Sequence, residues 1–210
     1  MTTVITIDDH PLFRKGLSQL LDMDAGLELV GEAASGKEGV ILARELNPDL
    51  ILLDLNMAEM DGIETLKALK QADIEAQIVM LTVSDNEDDL VAAIRAGADG
   101  YLLKDMEPED TLAYINKAIN GEMVISNRLT SLLAHALKIE NNIPHSATQA
   151  GLTDRELEIV KLIAQGNSNK LIARQLDIVE STVKVHVKHL LKKLKLKSRV
   201  EAAVWATNNL

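Results

Sequence analysis

Short runs rich in apolar residues alternate with stretches of helical periodicity over the first 120 residues of the chain. The short runs predict buried strands, and the longer amphipathic stretches predict helices. The predicted strands are Val4–Ile7, Leu27–Ala33, Leu50–Leu53, Ile78–Leu81 and Gly100–Leu103. The predicted helices are Leu12–Leu21, Lys37–Leu46, Ile63–Lys70, Glu87–Ala96 and Glu109–Asn120. Because this alternation is typical of βαβ units, we predict one doubly wound α/β domain with a five-stranded parallel sheet.

The chain after residue 151 contains only helical patterns. The predicted helices are Asp154–Gln165, Asn169–Leu176, Glu180–Leu194 and Ser198–Asn208. Thr153 with Glu156, and Ser198 with Glu201, are capping-box pairs that mark two helix starts. A turn of three residues, 177–179, separates the second helix from the third, which is the spacing of a helix-turn-helix. We therefore predict an all-α domain of four helices.

A helical stretch, Leu129–Ile139, and a polar segment join the two domains. Residues 140–151 collect Asn, Ser, Thr, Pro and Gly and show no apolar period. This composition is typical of a flexible linker. The sequence therefore predicts an α/β domain over residues 1–124, a linker helix and flexible linker over 125–151, and a helical domain over 152–210.

Polar residues follow four of the predicted strands at the point where each strand ends. Asp8 and Asp9 follow the first strand, Asp54 the third, Thr82 the fourth and Lys104 the fifth. The carboxyl ends of parallel strands meet at one edge of a sheet, which is where open α/β folds bind ligands. We therefore expect these side chains to lie together around Asp54.

The predicted helix Glu180–Leu194 has two opposed faces. At about 100° per residue, five exposed-type residues fall within one third of its circumference: Ser181, Lys184, Val185, Lys188 and Lys192. The apolar Val183, Val187, Leu190 and Leu194 fall nearly opposite. A buried face behind a basic face suits a helix that enters the major groove, where lysine reaches guanine or phosphate and valine contacts a thymine methyl.

The net charge of −10 is unevenly distributed between residues 1–150 and residues 151–210. Residues 1–150 hold 11 basic and 26 acidic residues, whereas residues 151–210 hold 11 basic and 6 acidic residues. The acidic half suits carboxylate chemistry or a cation, and the basic half suits phosphate. The chain has no cysteine, signal-peptide pattern or apolar run of membrane-spanning length, so we expect a cytoplasmic protein without a membrane partner.

These residues resemble those of the two-component response regulators of the NarL/FixJ family. Asp8-Asp9, Asp54, Thr82, Tyr101 and Lys104 match the receiver domain, and residues 152–209 resemble the LuxR-type helix-turn-helix. Longer stretches also resemble the nitrate- and nitrite-responsive members, namely Asp8–Pro11, Pro48–Met57, Gly97–Asp110 and Glu180–His189. The resemblance implies a flavodoxin-like sheet of order 2-1-3-4-5.

The resemblance also implies a role for each residue of the strand ends. Asp54 would accept a phosphoryl group from a sensor histidine kinase, and Mg²⁺ would be held by Asp8, Asp9, Asp54 and the main-chain carbonyl of Asn56. Hard cations of this kind prefer oxygen ligands. Lys104 and Thr82 would contact the phosphoryl oxygens, and Tyr101 would switch from exposed to buried. Ala58 and Asp105 stand where many receivers have proline, so loop rigidity after Asp54 and the isomer of the Lys104–Asp105 peptide bond stay open.

For the C-terminal half, the resemblance implies promoter DNA as the partner, bound by a homodimer, with RNA polymerase as a further partner. The expected DNA contacts are Ser181, Thr182, Lys184, Val185, Lys188, Lys192 and Lys197. Val204 and Trp205 are candidates for the dimer contact. In the resting chain we expect the receiver to cover the basic face of Glu180–Leu194. The chain would then be a regulator and not an enzyme.

Two other functions fit parts of the sequence. A nucleoside triphosphatase would use Gly31–Lys37 as a phosphate-binding loop. Such a loop requires Ser or Thr after the lysine to bind Mg²⁺, and this chain has Glu38 there. A helix-turn-helix regulator with a pseudo-receiver would never take phosphate, and it would need a gap in the acidic constellation that this sequence does not have.

Overall fold

The computed structural model describes residues 1–72, 74–83, 86–120, 122, 124 and 143–210. The predicted helix Leu129–Ile139 lies outside these residues, as does most of the predicted linker region 125–151. The predicted domain limits therefore stay a prediction.

The first domain contains a five-stranded parallel sheet of order β2-β1-β3-β4-β5, as predicted. The strands are β1 Thr2–Ile7, β2 Leu27–Ala33, β3 Leu50–Asp54, β4 Gln77–Thr82 and β5 Gly100–Leu103. Alternate residues of the central strands enter separate apolar clusters, one containing Ile51 and Leu53 and the other Leu50 and Leu52. Burial on both faces explains why these strands read as unbroken apolar runs.

Five helices cover the two faces of this sheet. They are α1 Pro11–Leu21, α2 Gly36–Leu46, α3 Gly62–Gln71, α4 Glu87–Ala96 and α5 Pro108–Ile119. Ser35, Asp61 and Asn86 cap α2, α3 and α4 by accepting backbone N–H groups of the first turn. All five agree with the predicted helices to within one residue at each end.

The C-terminal domain is all helical. Its helices are α6 Ala147–Ala150, α7 Asp154–Ala164, α8 Asn169–Gln175, α9 Glu180–Leu194 and α10 Arg199–Asn209. Both predicted capping boxes, at Thr153 and Ser198, are present. The turn between α8 and α9 places Asp177 at a φ of 51°, a left-handed conformation that Asp tolerates. The helix-turn-helix prediction is confirmed.

The end of the predicted flexible linker is packed and contains a helical turn. Ser146 caps α6, and Ile143 is buried. The Trp205 indole of α10 donates a hydrogen bond of 2.6 Å to the carbonyl of Pro144. The prediction of a flexible linker is therefore wrong for residues 143–151, because their order comes from contacts with α10 that no local pattern in the sequence reveals.

The two domains contact each other, and α10 packs against α4. Other residues at the contact, such as Glu75 and Asp99, precede β4 and β5, so this contact lies at the amino-terminal edge of the sheet. It is opposite the edge where Asp54 and Lys104 lie. Among the described residues, the helices are too short or too polar to cross a membrane.

Candidate functional site

The carboxyl ends of β1, β3, β4 and β5 bring the predicted site residues together. The parallel register pairs Ile7 with Leu53, Asp54 with Leu81 and Thr82 with Leu103. Asp8 and Lys104 follow directly after β1 and β5. The four side-chain positions therefore share one edge of the sheet, as the sequence predicts.

Lys104 lies between two carboxylates at this edge. Its Nζ is 2.7 Å from Asp8 Oδ2 and 2.8 Å from Asp54 Oδ2. The Lys104 side chain is only 8% exposed, and its ammonium lies 4.4 Å from the centre of the Phe13 ring. Within this mostly buried environment the attraction between the ammonium and the carboxylates is weakly screened. Lys104 therefore compensates part of the negative charge of the site.

The Asp54 carboxylate is buried, with 1% of the residue exposed. Burial raises its pKa above the ordinary value, and the charge of Asp8 acts in the same direction. The neighbouring Lys104 ammonium and the backbone N–H of Asn56 oppose that rise in pKa. Lys104 and the Asn56 N–H therefore stabilise the ionised Asp54 carboxylate, whereas burial and the charge of Asp8 disfavour its ionisation.

Asn56 links the ends of β3 and β4. Its backbone N–H donates to Asp54 Oδ1 at 3.2 Å, and its side-chain amide donates to Thr82 Oγ1 at 3.4 Å. The loop then turns back sharply, so that a Cβ on Gly62 would stand 2.3 Å from the carbonyl oxygen of Asp54. Glycine is required at this position because the start of α3 lies directly against the end of β3.

His10 is a member of the site that the sequence analysis missed. Its Nδ1 lies 2.9 Å from Asp9 Oδ1, 3.3 Å from Asp8 Oδ1 and 3.6 Å from Asp54 Oδ2. Asp9 also accepts the backbone N–H of Ala58 at 2.9 Å. The only signal in the sequence was the position of His10 directly after the two aspartates.

The carboxylates offer a suitable donor set for a divalent cation. Asp8, Asp9 and Asp54 each provide an oxygen that lies, with His10, within 4.8 Å of the others. Asp9 Oδ1 and Asp54 Oδ2 are buried and have no partner with hydrogen-bond geometry among the described residues. Carboxylate oxygens arranged in this way fit Mg²⁺.

The side chain of Tyr101 is buried, whereas we expected it to be exposed in the unphosphorylated chain. It is 1% exposed and lies in the apolar cluster that includes Leu90 and Ile94 of α4. The expectation is corrected: Tyr101 already occupies an inward position, because β5 directs it toward the core beneath α4. Thr82 is also buried. The Lys104–Asp105 peptide bond is trans.

Helix α9 has the two faces that its sequence predicts. Val183, Leu190 and Leu194 are buried. The residues of the opposite face are exposed, namely Ser181, Lys184, Val185, Lys188 and Lys192. Thr182 is partly exposed, and Lys197, just after the helix, is exposed. The geometry is that of a helix able to present lysines and a valine to DNA.

Among the described residues, an ion pair links this helix to the first domain. Lys184 Nζ lies 3.3 Å from Glu75 Oε2, while the rest of the basic face stays exposed. We expected the first domain to cover the basic face of α9. This expectation is wrong, because the residues of that face are exposed. Helix α10 packs against α4 of the first domain, while the basic face of α9 is turned away from it.

Charged pairs also connect α10 and its N-terminal turn to the first domain. Arg95 Nε of α4 lies 3.8 Å from Glu201 Oε1. Burial lowers the pKa of Arg199 to about 10, and the charge of Asp99 across the interface opposes that shift. Val204 and Trp205, the candidates for a dimer contact, are both buried in this arrangement. Their role in a dimer stays a prediction.

Two sequence families match the two parts of the chain. The "Response regulator receiver domain" family matches residues 4–116, and the "Bacterial regulatory proteins, luxR family" matches residues 150–206. The chain belongs to the response regulators with a LuxR-type DNA-binding domain. Its relatives include the nitrate/nitrite response regulator NarL of Escherichia coli K12, which is 56% identical over 203 residues, covering 97% of this chain and 94% of that protein.

Other relatives and solved structures agree with this membership. The nitrate/nitrite response regulator NarP of Escherichia coli K12 is 48% identical over 96% of this chain and 92% of that protein. The response regulator ChrA of a heme-sensing two-component system is 32% identical, covers 98% of this chain and 96% of that chain, and has a TM-score of 0.53. A LuxR-family regulator from Aurantimonas sp. SI85-9A1 is 29% identical over 66% of this chain and 99% of that chain, with a TM-score of 0.61.

The phosphate-loop alternative does not fit the contacts around Lys37. The N–H of Ala34 donates to Glu38 Oε2 at 2.8 Å, so a carboxylate occupies a position that a phosphate would need. Lys37 extends to Glu59, at 3.4 Å, on the surface. The segment Gly31–Lys37 is therefore an ordinary strand-to-helix connection.

Proposed function

We propose that this response regulator is a transcription factor whose DNA binding is controlled by phosphorylation of Asp54. The observation that carries the proposal is the buried Asp54 carboxylate with Lys104 Nζ at 2.8 Å. Phosphoryl transfer depends on positioning and on charge compensation near the transferred group. Asp54, Asp8 and Lys104 supply a nucleophile, an anionic neighbour and a cation at one edge of the sheet.

The proposed reaction moves a phosphoryl group from a phosphohistidine of a sensor histidine kinase to Asp54. A carboxylate oxygen of Asp54 attacks the phosphorus, the P–N bond breaks, and the imidazole leaves with the electron pair. Asp8, Asp9, Asp54 and the carbonyl of Asn56 would hold Mg²⁺, which compensates charge on the phosphoryl oxygens when bound. We expect Lys104 and Thr82 to contact two of those oxygens; Lys104 Nζ at 2.8 Å from Asp54 and the position of Thr82 at the end of the neighbouring strand support this role.

Helix α4 is the element that we propose carries the change to the other domain. It starts just after β4, near Thr82, and ends with Arg95 beside Glu201. A phosphoryl group adds negative charge and acceptor oxygens, so Thr82 and Lys104 gain a new partner. A shift of α4 would then separate Arg95 from Glu201 and release the C-terminal domain.

The interface is built in a way that favours such release. A cavity of about 340 Å³ remains between the domains, and its lining includes Lys70, Asp99, Lys184 and Arg199. Packing around a polar cavity forfeits apolar contacts, and the ion pairs that remain contribute little each. We infer that the polar, loosely packed contact favours opening when Asp54 is phosphorylated.

We infer promoter DNA as the partner of α9, with Ser181, Thr182, Lys184, Val185, Lys188, Lys192 and Lys197 as its contacts. The exposed lysines and Val185 support this, as does the LuxR-type family. We propose a homodimer on DNA, with Val204 and Trp205 becoming accessible after release, and RNA polymerase as a further partner. The DNA partner supports a cytoplasmic location, and we propose that the chain is a regulator and not an enzyme.

The signal that we propose is nitrate or nitrite, detected by the sensor kinase. The relatives from Escherichia coli and Haemophilus influenzae are both described as nitrate/nitrite response regulators, the latter at 46% identity over 96% of this chain. Transcription from a target promoter should therefore respond to nitrate only when the kinase is present.

Incubation with acetyl phosphate and Mg²⁺, followed by intact-mass measurement, tests the central step. The wild-type chain should gain one phosphoryl group and Asp54→Asn should gain none. Asp22→Asn is a matched control, because Asp22 is exposed and lies just after the last turn of α1, outside the group of residues around Asp54. No gain in the wild-type chain, or an equal gain in Asp54→Asn, would favour the pseudo-receiver instead.

A further inference from the structure

His10 places a ring nitrogen over the carboxylates at the candidate cation site. Its Nδ1 lies within 3.6 Å of oxygens from Asp8, Asp9 and Asp54. These are three separate carboxylates, so the ring nitrogen points to the middle of the group and not to one partner. The ring nitrogen and one oxygen of each carboxylate all lie within 4.8 Å of one another.

The backbone holds His10 in this place. Its N–H donates to Asp8 Oδ1 at 2.8 Å, and Pro11 begins α1 directly after it. His10 occupies the N-cap position of α1, yet its side chain makes no capping hydrogen bond. The imidazole is therefore not used by the helix, and with 65% of the side chain exposed it can meet a cation that arrives from solvent.

Two buried oxygens support the presence of a ligand here. Asp9 Oδ1 and Asp54 Oδ2 lack a partner with hydrogen-bond geometry within the part of the chain that the structure describes. Asp54 itself is 1% exposed. Lys104 Nζ lies 2.8 Å from Asp54 Oδ2, and His10 Nδ1 lies 2.9 Å from Asp9 Oδ1. A cation would add to these ion pairs the well-directed contact that buried polar atoms normally have.

We propose that His10 is a nitrogen ligand that makes this site hold first-row transition-metal ions, such as Mn²⁺, more tightly than Mg²⁺. Mg²⁺ prefers oxygen ligands, whereas neutral imidazole binds transition metals well. A set of three carboxylates and one imidazole thus suits a softer ion than carboxylates alone. The inference rests on the proposed cation site but not on phosphorylation of Asp54.

Mn²⁺ is the probe for the experiment, because free and bound ions are distinguished by electron paramagnetic resonance. The full-length wild-type chain, His10→Ala and His145→Ala would each be titrated with Mn²⁺ and then with competing Mg²⁺. His145 is exposed and lies in the segment before the C-terminal domain, so its variant is the matched control. Pulsed measurements on bound Mn²⁺ would also report whether a nitrogen atom is directly coordinated.

We expect a nitrogen coupling in the wild-type chain and in His145→Ala, and its loss in His10→Ala. The Mn²⁺ affinity should fall about tenfold in His10→Ala, the lower end of effects seen for groups that support a metal site, while the Mg²⁺ affinity changes by less than about twofold. Bound Mn²⁺ without nitrogen coupling, or equal losses for the two ions, would overturn the proposal. Absence of Mn²⁺ binding would overturn it too.

Mass measurement with acetyl phosphate and Mg²⁺ separates this proposal from the proposed function. If the wild-type chain binds Mn²⁺ through nitrogen but takes no phosphate, the proposed function fails while the ligand role of His10 stands.

Discussion

Arg95 of the receiver domain and Glu201 of the DNA-binding domain face each other across the interface, with Nε and Oε1 3.8 Å apart. Glu201 is almost fully buried and also accepts the backbone N–H groups of Lys197 and Ser198 at the start of α10. One carboxylate therefore both caps a helix of the C-terminal domain and meets the last turn of α4. The pair therefore links a helix of the first domain to a helix of the second.

Removing the Arg95 side chain should weaken the closed arrangement. We expect Arg95→Ala to raise the affinity of the unphosphorylated chain for promoter DNA by roughly two- to fivefold, the size expected of a partly exposed ion pair. Fluorescence anisotropy with a labelled promoter fragment would measure it. Arg44→Ala is the matched control, because Arg44 also lies in the last turn of a receiver helix but is exposed. Equal effects of the two substitutions would contradict a role for the interface.

A fragment that begins at residue 143 should be more stable than one that begins at residue 152. The shorter fragment loses the Pro144 carbonyl that accepts the Trp205 indole N–H, and it loses the buried Ile143. A buried donor left without its acceptor costs about 1 to 3 kcal/mol. Chemical denaturation of both fragments would measure the difference in the free energy of unfolding, and equal stabilities would show that residues 143–151 contribute nothing.

The same longer fragment tests whether the receiver inhibits DNA binding. Since Glu75 and α4 are absent from residues 143–210, Lys184 and α10 should be free of their partners. We expect this fragment to bind a specific promoter site without phosphate, and more tightly than the unphosphorylated full chain. Gel-shift titration would decide, and a fragment no tighter than the full chain would remove the inhibitory role of the first domain.

The features predicted well from the sequence are those set by local pattern. The strands showed as apolar runs because both sheet faces are buried, and the helix starts showed through capping residues such as Thr153 and Ser198. The meeting of Asp8, Asp54, Thr82 and Lys104 was also predictable, because parallel strands bring their carboxyl ends to one edge. These rules act over a few residues or follow from the topology.

The features that were missed depend on contacts between distant residues. The helical turn at residues 147–150 has no apolar period, and its neighbour Pro144 is held by Trp205, 61 positions along the chain. The charge imbalance predicted attraction between the domains, but the total charge of a domain does not show which of its surfaces meets the other domain. It could not show that Glu75 contacts Lys184 of α9, or that α10 packs against α4.

Replacing the phosphoacceptor should stabilise the fold at neutral pH. Because the pKa of Asp54 is raised on folding, mainly by burial, its ionised form destabilises the folded chain above the ordinary value of 3.8. We expect Asp54→Asn to raise the melting temperature at pH 7, because the neutral amide carries no charge to bury.

The gain in Asp54→Asn should fade as the pH falls through the raised folded pKa, and it should vanish below 3.8, where Asp54 is protonated in both states. Thermal melts of both proteins across that range would measure it. Lys104→Met should have the opposite effect. It removes the cation shared by Asp8 and Asp54 and should therefore destabilise the fold at neutral pH. A pH-independent gain would show that Asp54 is not under this electrostatic penalty.

Lys188 and Lys192 should affect DNA binding in different ways. Both are exposed on α9, but Lys188 lies near the middle of the helix and Lys192 in its last turn. We expect Lys184, Val185 and Lys188 to read base edges, and Lys192 and Lys197 to contact backbone phosphates. Lys188→Ala should then cost about 1 to 3 kcal/mol on the specific site and relax the preference at one base-pair position.

Lys192→Ala should instead weaken binding to all sequences and reduce the dependence of affinity on salt by about one phosphate contact. Lys170→Ala on α8 serves as a charge-matched control, since Lys170 is exposed outside the predicted DNA-binding face. Titrations of the phosphorylated protein against a panel of single-base variants, at two or more salt concentrations, would separate the two classes. If Lys188→Ala weakens every sequence equally, Lys188 contacts the backbone and base reading must lie elsewhere on α9.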